Sequence, residues 1–301
     1  MTDLQFKTVS DLTECRALWE KFSPHRTIFQ EWDWRYAHYR FFNFPVKFIV
    51  GLDANQPIGI LPLQYETEEK FWEFFGGQDM EDNGVWVKPG YEKYARKFLE
   101  VVSPIWLDYL LGEDEFIASL KVDCYGYKLE MKDYTGIADF IDMHLIGKVR
   151  RNIRYAWRNI EALSPKITRG NWDDLELLFE LNEKVFGQES SFFNEHEKEI
   201  FHDLIKLPYQ WDILTLEVKN QKVAVILLAV YKETCYFLAV GYDRSFHKDL
   251  GVYVNLLDIE EAVRLKVKTA DFGYHDCGWK ERWNFERIPY HQYWAGLEPD
   301  I

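Results

Sequence analysis

Apolar and polar positions along the chain divide its 301 residues into two halves with the same rhythm. In the first half, apolar runs at 46–52 and 58–65 alternate with period two around Asn55-Gln56. The same arrangement returns 165 residues later, where runs at 211–218 and 223–231 flank Asn220-Gln221. β-Branched and aromatic residues on both sides of a short polar turn predict a hairpin in each half. A short strand precedes each hairpin (6–9 and 166–169), followed by two helical periods (11–22 and 30–42; 173–186 and 194–206). Asp11 with Glu14 and Asn194 carry the helix-start signals. A third strand follows each hairpin (71–75; 235–242). Next come a helix opening at a glycine (Gly90; Gly251), a strand (105–109; 269–272) and a closing strand (125–131; 289–294). This order predicts an α+β chain of two tandem domains, 1–140 and 146–301, with residues 134–145 as the connection. Each domain is a central, mixed, mostly antiparallel sheet flanked by helices.

Composition narrows the function classes. The longest apolar run is nine residues, against about 20 for a bilayer-spanning helix, so no transmembrane segment is expected. No apolar leader follows Met1, and the four cysteines are scattered without a CxxC pair. Both observations predict reduced thiols and a cytoplasmic protein. Neither a zinc ribbon nor any other metal site is expected. The formal charge is −14, with 15 Lys/Arg against 25 Asp/Glu in residues 1–145, which disfavours duplex DNA and any extended RNA contact. One segment stands apart: Lys148, Arg150, Arg151, Arg154 and Arg158 precede the first acid, Glu161. Val149, Ile153, Trp157 and Ile160 recur there at helical spacing, so the arginines form a ridge beside a buried face.

The sequence resembles the GNAT acyltransferases, and within them the double-domain CelD-type acetyltransferases, which are similar to the Fem-type peptidyl transferases. The resemblance rests on Lys148-x-Arg150-Arg151-x-x-Arg154 and on Gly241-Tyr242-Asp243 before Gly251. It rests also on Asp271-Phe272-Gly273 followed by Trp279-Lys280-x-x-Trp283, and in the first half on Gly59-x-x-Pro62-Leu63 and Gly76-Gly77. It implies two GNAT-like domains, a degenerate first one on the acceptor side and a second one holding the acyl carrier. The implied carrier is acetyl-CoA or another acyl-CoA, bound by Tyr242, Arg244, Lys248, Gly251 and Val252. The pyrophosphate loop departs from the family pattern: Lys248 stands in place of Gln or Arg, and bulky Tyr253 occupies a small-residue position.

The chemistry expected of such a site is oxyanion stabilisation and a nucleophilic acceptor. Lys280 among tryptophans suits the first task, or a carrier phosphate; a lysine stem lying on aromatic rings with its head in water is the structural alternative. Asp271 and His275 crowd a strand end and are candidate acid–base groups, although Tyr274 to Gly278 also reads as a hydrogen-bonded turn. Arg150, Arg151 and Arg154, with Trp279 and Trp283, are expected to bind substrate, the alternative for the arginines being a solvated face. The acidic stretch 79–82 is expected to be a solvated loop that repels pyrophosphate. The acceptor is expected to be a small molecule or a saccharide. An aminoacyl-tRNA-dependent Fem-type transferase is disfavoured by charge and by the absence of a heptad arm. A scaffold that kept the fold and lost the chemistry is the alternative from another class.

Overall fold

In the computed structural model, which describes residues 4–297 except 78–79, 113, 133 and 275–277, the repeated rhythm becomes repeated topology. The first stretch runs β1 (Gln5–Val9), α1 (Leu12–Phe22), α2 (Trp32–Phe42), β2 (Val46–Asp53), β3 (Gln56–Glu66), β4 (Phe71–Phe74) and β5 (Trp86–Val87). It continues with α3 (Ala95–Leu99), β6 (Ile105–Leu110), α4 (Glu115–Ala118) and β7 (Lys121–Glu130). After it come α5 (Ile137–Met143), α6 (Gly147–Glu161), β8 (Lys166–Arg169), α7 (Leu175–Phe186), α8 (Glu195–Leu204), β9 (Gln210–Val218) and β10 (Gln221–Tyr231). The chain ends with β11 (Thr234–Tyr242), α9 (Leu250–Leu265), β12 (Thr269–Asp271) and β13 (Glu286–Ala295).

Local chemistry explains the matching parts. Each hairpin turns on two residues with positive φ, Ala54-Asn55 (46° and 62°) and Lys219-Asn220 (51° and 59°). Two such residues make the tight turn whose twist suits an antiparallel pair, and asparagine tolerates that conformation. Asp11 caps α1 by accepting from the amides of Thr13 and Glu14 at 3.0 Å, and Asn194 caps α8 through the amide of His196.

Two units emerge: Met1–Tyr125 with Pro289–Ile301, and Gly126–Ile288. In the first, the strand order is β1-β2-β3-β4-β6-β13; in the second it is β7-β12-β11-β10-β9-β8. Neighbours are antiparallel except at one matching place in each, where β4 runs parallel to β6 and β11 parallel to β12. The fold class read from the sequence is therefore shown. The unit boundaries lie away from residues 140 and 146, because the closing strands are exchanged. The end of β7, expected to close the first half, pairs with β12 through Glu130↔Thr269 and Lys128↔Asp271. The end of β13, expected to close the second, pairs with β6 through Ala295↔Ile105 and His291↔Leu110. The expected connection at 134–145 instead contains α5 and lies in the second unit. Gly90 does not open a helix: a 3-10 turn at Glu92–Tyr94 leads into the short α3.

In the first unit, Trp19, Trp32, Phe48 and Phe75 pack in one aromatic cluster between α1, α2 and the sheet. Beside it, the acidic stretch corrects its expectation. Asp79 lies outside the described residues, while Met80, Glu81, Asp82 and Asn83 are buried. Partners distant in sequence make this burial tolerable. Tyr290 Oη bridges Glu81 Oε2 (3.1 Å) and Asp82 Oδ1 (2.8 Å). The fully enclosed Arg35 donates to the carbonyls of Phe29, Phe75 and Glu81. Burial pulls the Arg35 guanidinium down to about 9, and Asp82 opposes that fall. Asn83 lies along the end of β6, its amide bonded to the Tyr109 carbonyl and its own carbonyl to the Leu111 amide, so the place beside the parallel pair is filled.

His38, next to Arg35 in this core, has no hydrogen-bond partner at Nε2 among the described residues. Burial, reinforced by Arg35, pushes its imidazole from 6.5 to about 3. The folded value lies below the unfolded one, so this contribution is intact above about pH 6.5 and fades as pH falls towards 3. Between pH 7 and 4.5 the His38 contribution to stability is expected to drop by about 2–3 kcal/mol. Urea denaturation at the two pH values checks this: His38→Gln should lose that share of the pH dependence, and an unchanged dependence would reject the assignment.

Candidate active site in the second unit

The place that is filled in the first unit is built differently in the second. β11 and β12 pair for three residues, Thr234↔Thr269 to Tyr236↔Asp271. β12 then ends, while β11 runs on to Tyr242 with β10 still beside it, Ala224↔Tyr242. The register against β10 slips between Leu227 and Leu228, which face Ala239 and Phe237 and leave Leu238 as the extra residue. A bulge bends its strand and increases the local twist. The end of the β11–β12 pairing leaves a notch in the strand ladder along β11: the Phe237 ring stacks on Phe272 at its start (5.1 Å), and Phe237, Leu238, Val240 and Tyr242 are only half-buried, in contrast with the wholly buried run 223–229 of β10.

Two helices frame β11. α7 crosses so closely at Gly241 that a Cβ there would lie 2.6 Å from both the Asn182 amide nitrogen and the Leu178 carbonyl oxygen. Gly241 is therefore required by packing. Asn182 Nδ2 donates to the Val240 carbonyl (2.7 Å) and is itself held by Ser190 Oγ (2.6 Å). α9 starts after the loop that leaves β11. Gly251 in its first turn lies under the Tyr242 ring, and a Cβ there would approach the Tyr242 hydroxyl to 2.8 Å. Tyr253 does not obstruct this helix start: it is buried, and its hydroxyl donates to Glu161 Oε1 on α6 at 2.7 Å. Asn159, also on α6, bonds Asp249 Oδ2 at 2.6 Å. These two contacts set the C-terminal end of α6 against the first turn of α9. Arg244 and Lys248 are exposed in the loop, and Val252 is half-buried.

Lys280 does not follow the alternative of a lysine with its head in water. It is 4 % exposed, and its ammonium donates to the carbonyls of Phe272 and Gly273, with the Tyr127 ring centroid 5.3 Å away. Lys280 thereby ties the loop after β13's predecessor, β12, to the segment that follows. Asp271, 2 % exposed, meets Lys128 Nζ at 3.2 Å and accepts from the Gly273 amide at 2.9 Å. Asp258 on α9 is buried, with one carboxylate oxygen lacking a hydrogen-bond partner among the described residues. Burial pushes its carboxyl well above the usual range, and the nearby positive charge of Lys280 pulls against that shift. Trp283 is corrected from substrate contact to packing: it is 4 % exposed and sits among Phe140, Trp279 and Phe285. His144 Nε2 donates to its carbonyl (2.9 Å) and fixes the loop further. Trp279 is half-buried. His275 lies outside the described residues.

Arg150, Arg151 and Arg154 come together as predicted, on one face of α6. With Gly147, Tyr155 and Arg158 they line a shallow groove of about 330 Å³. Arg154 pairs with Asp142, and Arg150 Nε donates to the Leu145 carbonyl. Sequence reading missed Lys128, Tyr127 and Asp258. The signal available for Asp258 was an acid on the apolar face of α9. No group of three or more His, Cys, Asp or Glu among the described residues is arranged to hold a metal ion.

A bulged strand that loses its parallel neighbour, with a helix starting beyond it, is the arrangement in the second unit. Residues 147–281 match the family model described as the Acetyltransferase (GNAT) domain, and the resemblance read from the sequence is shown. Among solved structures, FemX is similar over 96 % of this chain and 98 % of its own, at 12 % identity and a TM-score of 0.60. L-PGS from Bacillus licheniformis follows at 11 % identity and 0.57, covering 97 % of this chain and 94 % of its own. A tandem GNAT protein from the clavulanic acid biosynthesis pathway covers 98 % and 100 %, at 10 % identity and 0.54. At these identities the likeness is one of fold. No curated protein matches by sequence.

Proposed function

We propose that the protein is an acyltransferase of the CelD type, acting on a small-molecule or saccharide acceptor with an acyl-CoA, most simply acetyl-CoA, as donor. The observation that carries this reading is the early end of the β11–β12 pairing at Tyr236, which leaves a half-buried stretch of β11 that reaches the first turn of α9 at Tyr242 and Gly251. The residues suit such a carrier. A half-buried, mostly apolar strand edge fits an extended acyl arm. Arg244, Lys248 and the helix start with Gly251 and Val252 fit its phosphates. The carrier supplies an activated thioester. The protein's part is to hold it and to keep water from it. Lys280 and the Asp271–Lys128 pair fix the floor of the notch and bring positive charge towards the place where negative charge develops. A catalytic role for Asp271 or His275 belongs to the same reading, as acid–base partners of the acceptor.

Binding tests it directly. Acetyl-CoA at 100 times its Kd should stabilise the protein by about 2.7 kcal/mol, a melting shift on the order of 5 °C. Scanning fluorimetry with acetyl-CoA, longer acyl-CoAs and CoA is the measurement, and no shift with any of them would overturn the reading. A non-catalytic binding protein is the second reading. It is favoured by Asp249, whose carboxylate stands at the start of α9, where it opposes an anion. An aminoacyl-tRNA donor is the remaining alternative, and binding of charged tRNA without acyl-CoA would select it.

A further inference from the structure

The outer face of α6 and the turn before it have no role in the notch, yet they bring exposed basic and aliphatic side chains together. α6 buries Ile153, Ala156 and Ile160 and turns its other side to solvent. On that side Lys148, Arg151 and Arg158 are exposed. At its N-terminal end, the turn from α5 projects two aliphatic side chains into water: Met143 is 63 % exposed and Ile146 75 %. Tyr155, 61 % exposed, stands one turn beyond Arg151. Asp142, the acid nearest this tip, is neutralised by Arg154. The result is an apolar tip with a basic collar on a chain of net charge −14.

We infer that this face docks the protein onto an anionic lipid bilayer, with Met143 and Ile146 entering the headgroup region and Lys148, Arg151 and Arg158 lying over the lipid charges. The argument is complementarity of both kinds. Basic residues on a helix face are drawn to anionic headgroups, and neighbouring aliphatic and tyrosine side chains gain by leaving water at the same interface. A nucleic acid would reward the arginines but offers nothing to an exposed isoleucine and methionine. The remainder of the chain is acidic and is repelled by such a surface, so the molecule's own field orients it with this face inward. The inference is independent of the acyl-transfer reading, because it uses no group that lines the notch.

Vesicle co-sedimentation tests it on the full chain, with phosphatidylcholine vesicles and with phosphatidylcholine containing phosphatidylglycerol. Binding should be at least about tenfold stronger to the anionic vesicles and should weaken as salt is raised. K148Q/R151Q should lower the partition by about 30-fold. M143S/I146S should lower it by about tenfold while leaving the salt dependence in place. All four positions are exposed, so circular dichroism should show unchanged melting. Three results would overturn the inference: no preference for anionic vesicles, binding that the variants do not change, or a patch that binds RNA and not vesicles. Self-association of the free protein that M143S/I146S abolishes, without vesicle binding, would likewise assign the tip to a second copy of the chain.

Discussion

Gly241→Ala is expected to cost about 3 kcal/mol or more and to lower the melting temperature on the order of 10 °C. The new methyl would sit 2.6 Å from two backbone atoms of α7, the Asn182 nitrogen and the Leu178 oxygen, and a helix backbone cannot swing aside as a side chain can. Gly251→Ala is the internal comparison. Its methyl would meet the Tyr242 hydroxyl at 2.8 Å, the far end of a side chain that can move. Its loss of stability should therefore be several-fold smaller. Thermal melting of both variants decides: equal shifts would mean that the crossing of α7 over β11 is looser than described.

Lys280→Met should act on two measurements at once. Removing the ammonium takes its donor from the Phe272 carbonyl, a loss that costs about 1–3 kcal/mol, while the Gly273 carbonyl keeps the Tyr127 amide. It also strips the positive charge that faces Asp258. If Lys280 stabilises developing negative charge as proposed, thiol release from acetyl-CoA should fall by about 10²–10³-fold when assayed well below the variant's melting temperature. A lower melting point with unchanged turnover would assign the lysine to structure alone.

The sequence showed most where the determinants are local. Asn55 and Asn220 mark the tight turns, Asp11 and Asn194 mark helix starts, and the strand and helix order followed from periodicity. It showed least where partners come from afar. Glu81 and Asp82 look like solvent-facing acids until Tyr290, more than two hundred residues later, and Arg35 bring them donors. The bulge at Leu238 left no mark, because the residues of β11 alternate acceptably with or without it. Lys280 was found by its motif, but its partners were not, since nothing near it in sequence announces the carbonyls it meets. Gly241 was read only as part of a strand-end motif, and its reason, the close crossing of α7, comes from residues about sixty positions earlier.

The exchange of closing strands ties the order of synthesis to the order of folding. Residues 126–288 are inserted in the sequence of the first unit, whose sheet takes its outer strand from Pro289 onward. On a ribosome adding 5–20 residues per second, roughly 8–30 s separate Tyr125 from that strand. Throughout this interval the β6 edge has no neighbour from the chain's end, and a nascent product halted there would carry an adhesive strand edge. For the same reason, cutting the gene between the repeated halves would yield two fragments that each hold the other's missing strand, so co-expression, and not separate expression, is the way to recover either.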